Sequence, residues 1–405
     1  MYPVKINPDE AQSLLLNQIP QQKTEKIPLW AAPRRVLSED VVTNLPLPPF
    51  DRSAFDGFAF RSADTASATR EQPVCLSVLE DVLAGHTPAS SLQPGTAVRI
   101  MTGAPIPAGA DAIRKFEWTE YNENSVRLFS PARAGENVIR AGEDMAVGTL
   151  LANAGTLIGH SLPGMLASQG RAYVPVFRRP VAAIINTGTE IVMPNQPRPA
   201  SSIYNSSLYN IAAWLSNEGL LPMNGGLVTD NPNEILQRLD EVSSGSDVIL
   251  TTGGVSVGDA DFMPEVLERW GARILFWKLA MKPGGAMIAA VKDGKLILGL
   301  SGNPGAAILQ LMRIAQPALR RLCGRKDYLP SPVFVRLREP LTKESTRLRL
   351  LRGRLVIGAG EAWLTRLDKQ GPGDLSSLLD CDLLGEIPAG SGPVEAGTLI
   401  RAYRY

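Results

Sequence analysis

The chain has 405 residues, with 41 Lys plus Arg against 40 Asp plus Glu, and its formal net charge of +1 gives no global electrostatic case for a nucleic-acid or membrane-surface partner. That length exceeds one ordinary core and predicts roughly two to four domains. Cys75, Cys323 and Cys381 are far apart and form no CxxC pair, and only His86 and His160 are present, which argues against a disulfide framework, histidine triads and multi-histidine metal sites.

In chain order, the N-terminal text MYPVKINPDEAQSLLLNQ lacks a signal-peptide apolar core, and no apolar run reaches membrane-spanning length, so a soluble cytoplasmic protein is expected. Behind Asn7-Pro8, the residues Ala11, Leu14, Leu15 and Ile19 recur at helical spacing and predict an opening helix over 8–20. From 45 to about 150, prolines punctuate short segments such as AVRIMTG and SVRLFS, the text of a small β-rich unit. TLIGHSLPGMLASQG, 156–170, returns to helix. From 181, strand and helix text alternate: VAAIIN then SLYNIAAWLSNEG, GGLVTD then PNEILQRLDEVSSG, DVILTT then DFMPEVLERWG, KLILGLSGNP then AAILQLMRIAQPALRRL. Such alternation predicts a doubly wound, mostly parallel sheet. After Leu329-Pro330, short runs such as VFVRLRE, RLVIG and EAWLTRL predict a C-terminal β-barrel-like domain.

Ligands of an open parallel sheet sit outside the carboxyl ends of its strands. Those ends read Thr187-Gly188-Thr189-Glu190, then Asp230, then TTGGVSVGDAD at 251–261, then GLSGNPG at 299–305, where Asn303 is placed to cap the next helix. GxGxxG with its ribose acid and the P-loop GK[ST] are both missing, so neither a dinucleotide site nor a P-loop is expected. A glycine turn before a helix presents free N–H groups to phosphate, and carboxylates beside it tolerate that phosphate only with a cation between. Glu190, Asp230 and Asp261 therefore predict a Mg²⁺ site, with Gly253, Gly254, Ser256, Gly258, Gly302, Asn303 and Pro304 as the phosphate loops. Lys278 and Lys282 of FWKLAMKPG, four apart, project from one face if they share a strand and reach an anion at the same mouth. Each glycine loop by itself is equally the text of an ordinary tight turn.

TGTE, GGVSVGDAD, WKLAMKPG and GLSGNPG together resemble the molybdopterin molybdotransferases, the MoeA and gephyrin E-domain family, and so do PPFDRSAFDGFAF, IMTGAPIPAGADA and AGEDMAVGTLL upstream. The resemblance is strong over 40–320 and continues weakly through LRG at 351–353. It implies a transferase that inserts molybdate into adenylylated molybdopterin with Mg²⁺ and releases AMP. It also implies an elongated homodimer that exchanges material with upstream and downstream molybdenum cofactor proteins. The family's essential acids match Asp56, Asp144, Glu190, Asp230 and Asp261, its threonine matches Thr102, and Lys278, Lys282 and Arg352 fall on the molybdate side. The α/β multidomain chain is then expected to divide into 1–44 plus 149–177 (helical linker), 45–148 (inserted, β-rich), 178–327 (α/β, molybdopterin-binding) and 328–405 (barrel-like).

The chain departs from the family's text at Arg52 (asparagine), Ile139 (arginine), Thr189 and Asn205 (aspartates), Gly285 (lysine), Ser301 (proline), Ala306 (serine) and Pro372 (serine). The changes at 285, 306 and 372 remove groups from the oxyanion side while the acids Glu190, Asp230 and Asp261 on the metal side are retained, which predicts weakened molybdate binding. Two other readings stay open: a diverged, non-catalytic carrier or scaffold for a molybdopterin species, and a molybdopterin adenylyltransferase, whose domain also carries GG and GNP loops.

Overall fold

A computed structural model of the chain describes residues 2–255, 262–358 and 360–405; Ser256, Gly258 and Asp261 of the expected site lie outside the described residues. The chain forms two compact units, one of residues 1–39, 154–160 and 173–405, the other of 40–153 and 161–172.

The first unit is built on a seven-stranded sheet. Its strands in chain order are β1 (Val4–Ile6), β2 (Val181–Thr187), β3 (Leu221–Val228), β4 (Val248–Thr252), β5 (Arg273–Leu279), β6 (Ile288–Lys292) and β7 (Lys295–Leu300). Spatial order is β1-β5-β6-β7-β4-β2-β3, parallel throughout except for β6. Alternate residues of β2 show why it must be covered twice: Ala182 and Ile184 enter one buried cluster, Ala183 and Ile185 the other. The helices α1 (Pro8–Leu16) and α2 (Ser206–Glu218) pack on the first face; α3 (Pro232–Ser243) and α4 (Met263–Arg269) pack on the second. Helical text 8–20 thus ends early at Leu16, where Asn17 caps it.

The segment after β7 is α-helical over Pro304–Gln310, a π turn over Leu311–Ala315, and α-helical again over Gln316–Leu322. Apolar periodicity predicts one unbroken helix here, and Pro317 is the reason for the interruption. Proline has no N–H to give the carbonyl four residues earlier, that of Arg313, and the side-chain amide of Gln12 donates to that carbonyl instead.

Five strands close into the C-terminal barrel in the cyclic order Leu348–Gly358, Glu361–Arg366, Val333–Leu337, Leu399–Arg404, Leu383–Ile387 and back to the first. Met281–Lys282, just beyond β5, adds in parallel to the edge of Leu348–Gly358 and ties the barrel to the α/β sheet. A buried ionic group adds to this junction: Glu386 of the barrel, 3% exposed, bonds both Arg313 of the π turn and Arg401, and Arg313 also reaches Asp9 at the start of α1.

The second unit centres on a six-stranded sheet ordered Ala112–Lys115, Gly57–Phe60, Thr96–Ile100, Val74–Val82, Ser125–Leu128 and Thr119–Tyr121, with Phe58, Phe60, Ile100 and Leu128 in its core. Helical text at 156–170 yields only the short helix Leu162–Ser168. Among the described residues no helix is long and apolar enough to cross a membrane.

Candidate functional site

A cleft of about 1070 Å³ opens at the carboxyl ends of β2, β4 and β7, where a doubly wound sheet leaves room between its diverging connections. Its lining contains Glu190, Asp230, Gly253, Gly254, Lys278, Lys282, Gly302, Asn303 and Pro304, all expected from sequence. It also contains Lys5 and Arg347, which sequence reasoning missed. Neither sits in a loop that follows a parallel strand: Lys5 lies on edge strand β1, and Arg347 just before the barrel strand that receives Met281–Lys282. Their arrival depends on long-range pairing that no local pattern carries.

Gly253 and Gly254 follow β4 with φ of 96° and 64°. A side chain at 253 would meet Thr187 Oγ1 at 2.4 Å, and one at 254 would meet the Phe262 ring at 2.8 Å, so both positions need glycine. The Gly253 N–H is already given to the Leu300 carbonyl at 3.2 Å, which leaves Gly254 as the donor of this pair without an acceptor among the described residues. The second glycine loop stands alongside: a Cβ on Gly302 would lie 3.5 Å from Gly253 Cα. Asn303 occupies the N-cap position of the helix that follows, but its side chain makes no capping bond; its backbone N–H donates to Ser301 Oγ at 3.3 Å instead.

Two carboxylates face this mouth. Asp230 accepts at one oxygen, Oδ2, from both the Thr189 N–H (3.2 Å) and the Thr189 hydroxyl (3.1 Å). Threonine at 189 therefore orients Asp230, where an aspartate would repel it. Asn205 caps α2 by accepting from Leu208 N–H at 3.1 Å, and donates to Asn186, which donates in turn to Thr252. A neutral amide chain thus runs from the cleft wall at Asn205, where the family carries an acid, to Asn186 and Thr252 in the sheet.

Lys278 and Lys282 both reach the cleft, but not from one strand as their spacing suggests. Strand β5 stops at Leu279, and Lys282 belongs to the short strand paired with the barrel. Lys278 has a φ of 68°, and its ammonium rests 3.8 Å from the centroid of the Trp277 ring. No described carboxylate pairs with Lys5, Lys278, Lys282 or Arg347 within 4.0 Å.

Arg352 does not line the cleft. It is 1% exposed, and its guanidinium donates to the carbonyls of Gly371 (2.7 Å) and Asp374 (3.2 Å), holding the loop that brings Pro372 to the cleft wall. The Pro372 carbonyl takes the Ala306 N–H at 2.9 Å, so one donor at the start of the helix after β7 is already used.

Asp56, Thr102 and Asp144 belong to the second unit. One oxygen of Asp56 accepts from the Thr102 N–H and from its hydroxyl, both at 2.7 Å, and these bonds, the backbone one foremost, hold its carboxyl below the usual range. Asp144 is exposed, and its N–H donates to the Leu47 carbonyl at 2.9 Å. The Arg52 and Ile139 departures are direct partners in a two-residue antiparallel ladder, so this ladder carries its arginine on the strand opposite to the family's.

Comparison with known proteins finds residues 6–170 matching the family described as MoeA N-terminal region (domain I and II), 183–321 matching a probable molybdopterin binding domain, and 335–405 matching the MoeA C-terminal region (domain IV). A molybdopterin molybdenumtransferase of Bacillus subtilis is 34% identical over 397 residues, covering 97% of this chain and 92% of that one. One from Nostoc is 34% identical over 400 residues, covering 96% and 91%. The crystal structure of a molybdopterin biosynthesis MoeA protein from Pyrococcus horikoshii superposes with a TM-score of 0.87 at 27% identity, covering 99% of both chains.

Proposed function

The chain belongs to the MoeA family, alike over 97% of its length to a relative 34% identical, and from that premise we propose that it is a molybdopterin molybdenumtransferase of molybdenum cofactor biosynthesis. It takes adenylylated molybdopterin and molybdate and releases AMP. The observation that carries this reading is the composition of one cleft: two glycine loops in contact, two carboxylates, and four cations with no described carboxylate partner.

Phosphate of the nucleotide-pterin lies against the Gly254 and Gly302 loops, whose backbone donors suit an anion without selecting its organic part. Lys5, Lys278, Lys282 and Arg347 draw molybdate to the same mouth and hold its oxygens there. Glu190 and Asp230, with Asp261 as a third acid, supply hard oxygen ligands that suit Mg²⁺, and the Oδ1 of Asp230 has no described partner. Mg²⁺ held by these acids would supply neutralisation of phosphate charge. Thr189 fixes the orientation of Asp230, and Arg352 acts at one remove by positioning the Pro372 loop.

The same proposal includes a cytoplasmic homodimer in which Asp56 and Thr102 of one copy serve the cleft of the other, and the four-part division 1–44 plus 149–177, 45–148, 178–327 and 328–405. Purified protein given adenylylated molybdopterin, Mg²⁺ and molybdate should release AMP and yield molybdenum-loaded pterin. Tight binding without AMP release would instead identify a carrier. Formation of adenylylated molybdopterin from ATP would identify an adenylyltransferase. In verified heterodimers, an Asp56→Ala chain mixed with an Asp230→Ala chain should regain activity, and no recovery would sink the shared site.

A further inference from the structure

Gln310 lies on the helix that follows β7, one turn and a half beyond the cleft loop, and is wholly buried. A primary amide in such a place has one acceptor and two donor hydrogens to satisfy, and here all three are used on backbone. Its Oε1 accepts from the Ser301 N–H at 2.8 Å. Its Nε2 donates to the carbonyls of Gly284 at 2.8 Å and Ala286 at 2.6 Å. Because the three partners are backbone groups of fixed polarity, the amide has one possible orientation.

The two stretches so joined both line the cleft. Ser301 opens the loop of Gly302, Asn303 and Pro304; Gly284 and Ala286 close the loop of Lys282 and Pro283. Besides Gln310, the KPGGA loop is held by short-range bonds, such as Leu279 N–H to the Gly285 carbonyl at 2.8 Å, and at Lys282 by the pairing of Met281–Lys282 with the barrel strand; neither ties it to the loop that Ser301 opens. The staple also needs residue 301 to own an N–H, which serine has and the family's proline lacks. We propose that Gln310 is a positioning residue: it fixes the spacing between the loop that carries Lys282 and the loop that carries Gly302 and Asn303, and so sets the anion-binding geometry of the cleft. Only what the cleft binds depends on the molybdenumtransferase reading; the staple does not.

Gln310→Glu turns the staple into a titratable one. The variant keeps the acceptor for Ser301 N–H, but its second oxygen faces two carbonyls and must carry a proton to bond either of them. Burial and the facing carbonyls both favour the neutral acid, raising its pKa. As pH rises through that raised value the carboxylate forms and the bond becomes a repulsion. Hydrogen exchange, corrected for the intrinsic pH effect, should show peptides 278–287 and 299–304 exchanging together at least about tenfold faster at pH 8 than at pH 5 in Gln310→Glu, with no such change in the unaltered protein. Over the same range kcat/KM for adenylylated molybdopterin, relative to the unaltered protein at each pH, should fall by on the order of ten- to a hundredfold. Gln310→Met, of similar volume, should loosen both loops at every pH. Should Gln310→Glu not fold, Gln310→Met decides the matter by the same exchange experiment. Loops that stay as protected as in the unaltered protein, or one loop loosening without the other, would overturn the proposal. Exchange does not depend on turnover, so absence of AMP release in the unaltered enzyme would sink the functional reading and leave this test standing.

Discussion

Glu386→Gln offers a strong test of how the barrel is anchored to the α/β sheet. The carboxylate is 3% exposed and binds Arg313, whose side chain is 5% exposed, while Arg401 on its other side is 42% exposed. Burial pulls the Arg313 guanidinium toward its neutral form, but the Glu386 charge and the bonds to Asp9 and Glu386 outweigh it and raise its pKa. Removing the Glu386 charge leaves Arg313 with Asp9 alone, a residue 71% exposed whose charge water screens. Breaking a buried pair from one side costs roughly 3–5 kcal/mol, and the surviving Asp9 contact places this case near about 3 kcal/mol. For a unit of this size that is a loss of roughly 6 °C in the thermal transition, read by calorimetry. Arg401 hydrates and adds little. The combination Arg313→Met with Glu386→Leu removes both buried charges at similar volume and should return to within about 1 kcal/mol of the original, because desolvation of the pair offsets its attraction. A single variant that loses less than about 1 kcal/mol, or a double as damaged as the single, would refute this account.

Asp56 is held in its charged form by Thr102, so its contribution to stability is present above its unfolded pKa and disappears as pH falls through the lowered folded value. Thr102→Ala should move that midpoint up toward the ordinary carboxylate range in a carboxyl-carbon NMR titration, and an unmoved midpoint would count against the hydroxyl bond. Burial, as the main cause, pushes the thiol of Cys323 up to about 12 and that of Cys381 up to about 11, whereas Cys75 is exposed. Iodoacetamide at neutral pH should therefore alkylate Cys75 alone in the native protein and all three in urea, and native labelling of Cys323 would contradict its burial. Thr189→Asp replaces the donors' side chain on Asp230 by a second carboxylate, a repulsion of about 1 kcal/mol at an exposed site. The variant should melt lower than the original without Mg²⁺ and gain more from its addition; equal gains would remove Asp230 from the metal reading.

Much of the cleft is legible in the linear text because the glycine loops and the acids follow the strands of a parallel sheet, and the fold places all such ends on one side. Alternation of strand and helix text fixes that sheet, and the two faces of β2 show the pattern at the level of single residues. What the text could not give is anything set by residues far apart. Strand β6 runs antiparallel and β5 stops before Lys282, so the two lysines arrive from different strands rather than from one face. Lys5 and Arg347 come from the edge strand and from the barrel, brought to the mouth by pairings whose partners lie hundreds of residues away in β1 and β5, and across the barrel junction in the Met281–Lys282 pair. Composition and periodicity report which residues prefer water and at what spacing, which determines elements and their buried faces. Hydrogen bonds such as those of Gln310 and Arg352 have no such signature, since a buried amide or guanidinium reads as a solvated one until the chain has closed around it. For those residues only the tertiary structure decides, because the partners are backbone atoms that carry the same donor and acceptor at every position of the sequence.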